Sequence, residues 1–125
     1  FEERPETLLR RADGLGMPAR AQVAAGTLTL TAVSTGELSP GEFADLIRRA
    51  VDARGVRVVV IDSLTGYLSA MGSERLLLTQ MHDLLQFLSA RGVLTILVVA
   101  QHGVLGPSLA GPIDVSYLAD AVLLL

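Results

Sequence analysis

Val58-Val59-Val60-Ile61-Asp62-Ser63 is the stretch that decides the fold: four apolar residues in a row, closed by a carboxylate and a hydroxyl. A run of that length reads as a buried strand of a parallel sheet, and its carboxyl end is where open α/β sheets place their ligand chemistry. The expectation is therefore a core strand over 56–62 that delivers Asp62 to the sheet's carboxyl edge.

Working outward, Val93 to Ala100 forms a second apolar run, interrupted by Thr95, and predicts another fully buried strand. Between the two lies a connection, 63–72, and then a long helix from Ser73 to Gly92. In it Leu76, Leu77, Met81, Leu84, Leu85 and Leu88 recur at threes and fours as a wide apolar stripe. Upstream, Ser39-Pro40-Gly41-Glu42 is a strong helix start. Ser39 is the N-cap, Pro40 takes the first helical position and Glu42 closes a capping box, so a helix is expected to about Ala53 with a stop at Gly55.

Nearer the start, Leu8, Leu9, Ala12 and Leu15 repeat at helical spacing after Pro5, predicting a short helix over 5–14. Thr27-Leu28-Thr29-Leu30-Thr31 alternates strictly, the period of a half-buried edge strand with its threonines toward water. Beyond Gln101-His102-Gly103 comes a loop holding Gly106, Pro107, Gly111 and Pro112, and Ala121 to Leu125 reads as a last apolar strand. Alternating strands and helices imply a mostly parallel sheet with right-handed crossovers and helices on both faces.

Composition narrows the function classes. A chain of 125 residues makes one domain at most, and 50% hydrophobic residues with only 4% aromatic means a core of Leu, Val, Ile and Ala. A net charge of −3 with scattered arginines argues against a nucleic-acid stripe or an anionic membrane surface. Zero cysteines exclude a disulfide framework and a thiolate metal site. No apolar run is long enough to span a bilayer and no targeting segment opens the chain, so a cytoplasmic location is the default expectation.

Asp62 is the first candidate for chemistry. At the end of such a strand, called Walker B in phosphate-transferring ATPases, an aspartate holds Mg²⁺ beside the nucleotide; the alternative is a turn former or helix cap. Glu2 and Glu3 suit orientation or deprotonation of an attacking water, or else form a solvated acidic terminus. Gln101 ends the second buried strand, where an amide can sense a terminal phosphate or simply close the strand. Ser63 and Asp114 read as local caps, Tyr67 and Met71 as packing for the segment after Asp62. His82 and His102 lack the spacing of a metal site. No nucleophile triad is visible.

One absence weighs as much as these residues. A Walker B strand works with a phosphate loop, G-x-x-x-x-G-K-[ST], and this chain has no lysine at all: its 10 basic residues are all arginine.

Taken together, Phe1-Glu2-Glu3, the segment Glu37 to Phe43, the strand Val58 to Asp62 with Ser63-Leu64-Thr65-Gly66-Tyr67, and the tail Asp114 to Asp120 resemble the KaiC family of RecA-like ATPases, related to the circadian clock protein. The resemblance covers essentially the whole chain. It implies an α/β fold, a RecA-like P-loop NTPase core, here without the strand, loop and helix of the phosphate-loop region. Residues 1–125 would then be a single partial domain, the portion that follows the phosphate loop. It further implies that Glu2 and Glu3 are the catalytic pair that activates water. Asp62, Ser63 and Gln101 would line the nucleotide, with Asp62 meeting Mg²⁺ through water.

The intact parent is expected to need ATP and Mg²⁺ and to act in signal transduction or clock-like regulation, and some members of the family also autophosphorylate. Neither ligand is expected to bind this chain tightly, and the chain alone is expected to be inactive. Self-association is the expected partnership: a ring in the family, and a dimer or swapped assembly for this chain, whose sheet would have an unpaired apolar inner edge. The rival readings are a degenerate RecA-like interaction module that never had a phosphate loop and a recombination-type DNA-binding ATPase, against which the lack of a basic loop counts.

Overall fold

The computed structural model describes residues 3–34, 38–64, 66–67, 74–99 and 118–123. Within them the chain runs α1 (Pro5–Gly14), α2 (Ala19–Ala24), α3 (Pro40–Arg54), β1 (Val58–Asp62), α4 (Glu74–Ala90) and β2 (Leu94–Val98). It is a small α/β arrangement in which β1 and β2 pair in parallel, with Val58 opposite Leu94 and Asp62 opposite Val98.

Local sequence explains α3 well. The Ser39 hydroxyl accepts the Glu42 backbone N–H at 3.3 Å, while the Glu42 carboxylate accepts the Ser39 backbone N–H at 2.7 Å. These reciprocal bonds satisfy two donors that a helix start otherwise leaves open. At the other end Gly55 takes φ 65°, a left-handed turn that side-chain-bearing residues resist, and its N–H closes on the Val51 carbonyl.

α3 and α4 pack on each other and on one face of the sheet. Phe43, Ala44 and Val51 from α3 meet Leu77, Met81, Leu84 and Leu88 from α4 in a single buried cluster with Ile61 of β1 and with Leu64 and Tyr67 just after it. The apolar stripe read from the long helix is this contact face, except that Leu76 points to water and Leu85 is only partly covered. Each large side chain fully buried there contributes about 1.5–3 kcal/mol.

The pair α1 and α2 is held by polar contacts. The Arg20 guanidinium donates to Asp13 and to Glu6, each at 2.7 Å, clamping α2 onto α1. α2 has no counterpart in the sequence reading, and the reason is physical: it spans six residues, buries none and lacks a side-chain cap.

Several expectations are corrected. β1 begins at Val58 rather than Val56, and neither strand is covered on both faces by the described residues. Val59, Ile61 and Leu97 turn toward the helices, whereas Val58, Val60, Leu94, Ile96 and Val98 remain 40–60% exposed on the opposite face. Helices on both faces are thus not found among the described residues.

Thr27–Thr31 is not a strand. Its burial alternates as expected, with Leu28 and Leu30 half-covered between exposed threonines. Yet no strand among the described residues pairs with it, and Thr27 instead closes α2 by donating its N–H and its hydroxyl to the Gln22 carbonyl at 3.0 and 3.1 Å. Residues 121–123 are exposed and pair with no strand among the described residues, so the expected final strand does not form over them. Met71, Gln101, His102, the glycine- and proline-bearing loop and Asp114 lie outside the described residues.

Candidate functional site

Asp62 is the last residue of β1, at the carboxyl end of a parallel strand, and its side chain is exposed. It shares a pleat face with Val58 and Val60, so the strand's alternation carries the carboxylate away from the helix-covered core. The Asp62–Ser63 peptide bond is cis.

Immediately after it the chain turns into a helical turn that Ser63 organises. Ser63 is buried, its hydroxyl accepts the Gly66 N–H at 3.1 Å, and its carbonyl accepts the Tyr67 N–H at 3.1 Å. The local-cap reading of Ser63 is therefore what its geometry displays. Leu64 and Tyr67, both within 1% of complete burial, anchor the turn from below. The Tyr67 ring lies 5.0 Å from that of Phe43, tilted by 42°, and burial pushes its phenol above the ordinary value of 10.0. Asp62 thus stands on a rigid footing: a paired strand before it and a capped, core-anchored turn behind it.

The other candidates are less assembled. Glu3 precedes α1, and its carboxylate accepts from the Arg11 guanidinium at 2.8 Å, an ion pair one face along that helix. Glu2 and Gln101 lie outside the described residues. His82 sits on the exposed side of α4, 3.9 Å from the Asp83 carboxylate and 3.4 Å from the Gln86 amide nitrogen. That is a surface arrangement, and no group of three or more His, Cys, Asp or Glu side chains suited to a metal ion occurs among the described residues.

A single exposed carboxylate still fits one metal. Mg²⁺ dehydrates reluctantly and is commonly held by one or two carboxylates, its own waters and a phosphate ligand, rather than by a cage of side chains. Asp62 meets that requirement in residue type, position and exposure. For the phosphates of a nucleotide, the chain carries neither lysine nor a phosphate loop.

Comparison with known proteins supplies the family. The family model described as "ATPase: KaiC" matches residues 1–124. The chain belongs to the KaiC ATPase family. No curated protein and no solved structure matches it. Membership supports ATP as the nucleotide and Mg²⁺ as the ion of the intact KaiC-type protein. No helix among the described residues is long and apolar enough to cross a membrane.

The sequence reading did not anticipate Arg11 as the partner of Glu3. The signal was available in retrospect, since Glu3 lies just before α1 and Arg11 two turns into it, but only the helix brings the two together.

Proposed function

We propose that this chain is the part of a KaiC-type, RecA-fold ATPase domain that follows the phosphate loop, and that it supplies the metal-side and water-side groups of the nucleotide site. The observation that carries the reading is Asp62, exposed at the carboxyl end of a parallel strand and braced by the Ser63-capped turn, in a chain matched by the KaiC model over 1–124.

In this reading the Asp62 carboxylate would hold the Mg²⁺ ion, through water. When bound, the ion supplies charge neutralisation for the phosphates. Glu2 and Glu3 position and deprotonate the attacking water. The Arg11 guanidinium, 2.8 Å from Glu3, orients that carboxylate. Ser63 shapes the backbone after the metal-side carboxylate, and Gln101 hydrogen-bonds the terminal phosphate. A phosphate-cradling loop must come from residues outside this chain, which by itself is inactive and binds neither ATP nor Mg²⁺ tightly. The parent acts in signal transduction or clock-like regulation, as a soluble cytoplasmic protein that self-associates through its sheet and subunit surfaces.

The test is a calorimetric titration of Mg-ATP into this chain and into a form extended by its native upstream residues. Binding by the extended form alone is expected. Binding by neither would favour the second reading, a non-catalytic RecA-like assembly module, which the missing phosphate loop and the exposed sheet face suggest. Hydrolysis by the 125-residue chain above the level of its Asp62→Asn variant would overturn the claim of inactivity.

A further inference from the structure

Thr27–Thr31 has the pattern and the position of a strand, yet no strand among the described residues pairs with it. Leu28 and Leu30 are half-covered between exposed threonines, and Val33, just beyond, joins the main buried cluster with Phe43 and Ile61. Thr29 Oγ1 accepts from the Arg54 guanidinium at 3.5 Å. Arg54 is the last residue of α3 and stands just before β1, so the segment lies beside the end of the sheet where β1 begins.

Topology selects the edge it fits. In chain order the segment, α3 and β1 repeat the arrangement of β1, α4 and β2. Crossovers of this kind between parallel strands are right-handed almost without exception. α3 and α4 pack on the same face of the sheet, and two right-handed crossovers on one face step in the same direction. β2 already occupies one side of β1, so the segment belongs on the other, where no strand stands among the described residues. Register parity is fixed as well. Leu28 and Leu30 must share the helix-covered face with Val59 and Ile61, because a slip of one residue would turn both leucines outward.

What holds the segment away from β1 is α2. The Gln22 carbonyl accepts the backbone N–H groups of both Thr27 and Leu28, at 3.0 and 3.2 Å. Pairing along one edge uses every second residue, so whichever set faces β1 includes a group that Gln22 has taken. Thr29, Leu30 and Thr31 donate no backbone hydrogen bond to any described residue. α2 in turn is weakly held. It spans six residues, buries none, and is clamped to α1 by Arg20 through Glu6 and Asp13, whose side chains are 62% and 46% exposed. A helix this short is not stable by itself, and exposed ion pairs weaken as salt rises.

We propose that Thr27–Thr31 is a third strand held in reserve by α2: when the Arg20 clamp releases, the segment pairs parallel to β1 on the edge opposite β2. The switch closes a strand edge that otherwise offers a template to another chain, and it stands independently of the nucleotide reading.

The experiment follows amide exchange and nuclear Overhauser contacts in the full 125-residue chain, unmutated between about 0.01 M and about 1 M salt, and as Arg20→Gln and Val23→Pro at low salt. Proline at position 23 breaks α2 from within. The expected result is faster exchange across α2, exchange slowed about tenfold at alternate residues among Thr29, Leu30 and Thr31, the scale of one hydrogen bond, and new contacts between residues 28–30 and 59–61. Adding Leu30→Asp to Arg20→Gln should abolish the slowing, since it sets a charge on the covered face. The salt series uses the unmutated chain, so it decides the matter even where a variant fails to fold. Slowing already complete in the unmutated chain at low salt, α2 opening without slowing, contacts to β2 in place of β1, or slowing that survives Leu30→Asp would each overturn the proposal. So would an α2 that stays closed at high salt and in both variants.

Discussion

Asp62 and Tyr67 sit five residues apart and respond to opposite demands. Asp62 is exposed at a strand end, so removing its charge disturbs no packing, whereas Tyr67 is 1% exposed and held against Phe43. In an extended protein that hydrolyses ATP, Asp62→Asn should therefore lower turnover by about 10²–10³, the range for removal of one preorganised electrostatic contact, in a protein that still melts cooperatively. Steady-state ATPase assays beside thermal melts check this, and a loss of stability with full activity would remove Asp62 from the site. Tyr67→Ala should instead destabilise by about 3–5 kcal/mol, the cost of deleting a buried aromatic side chain, measured by urea unfolding. Tyr67 also sets an alkaline limit. Its folded-state pKa is raised by burial, so the folded chain holds the phenolic proton more tightly than the unfolded one. That contribution is fully present below pH 10.0 and is lost as pH rises through the folded value. Melting temperatures scanned above that pH should fall, and the fall should be absent in Tyr67→Phe.

At the scale of elements, α3 and α4 were legible because their signals are local. Ser39, Pro40, Glu42 and Gly55 mark the ends of α3 through bonds that span three or four residues, and the Leu and Met spacing of α4 is a property of one helix. Ser39→Ala should cost about 1 kcal/mol, readable as a lower urea midpoint, because it opens the capping box. The Glu42 carboxyl is held below its ordinary value first by the Ser39 backbone N–H and then by the Ser39 hydroxyl, so its support is present near neutral pH and lost as pH falls through the acid range. The Thr27–Thr31 segment shows the limit of such reading. Alternation specifies which side chains face inward, and those are the ones half-covered, but a strand also needs a partner, and Thr27 is engaged in closing α2. α2 itself escaped notice because what holds it is Arg20 reaching Glu6 and Asp13 on another helix. The Arg20→Gln variant should accordingly speed amide exchange across α1 and α2 more than across α4.

For the whole molecule the decisive feature is the uncovered face of the sheet. Val58, Val60, Leu94, Ile96 and Val98 lie in register across two strands and stay exposed, an apolar patch of the kind that marks an interaction surface or an association hazard. The 125-residue chain should therefore self-associate at high concentration, and Ile96→Glu should reduce that association without unfolding the helix-covered side. Light scattering checks it: a monomeric mass for the unmutated chain would contradict the expectation.

What the sequence determined by itself was whatever is encoded over a few residues: the strand ending on Asp62, the parallel partner implied by an intervening helix, the capped ends of α3, and the absence of a phosphate loop. Family membership also rested on ordered short motifs, and the match over 1–124 agrees with it. Only the tertiary structure decided which strand face is covered, that Thr27–Thr31 finds no partner strand among the described residues, that Ser63 serves the turn after Asp62, and that Arg11 holds Glu3. Each of these depends on groups that are far apart in the chain, or on neighbours that pattern alone does not name. Periodicity can specify that a side chain turns inward, but what it meets there is settled when the elements pack.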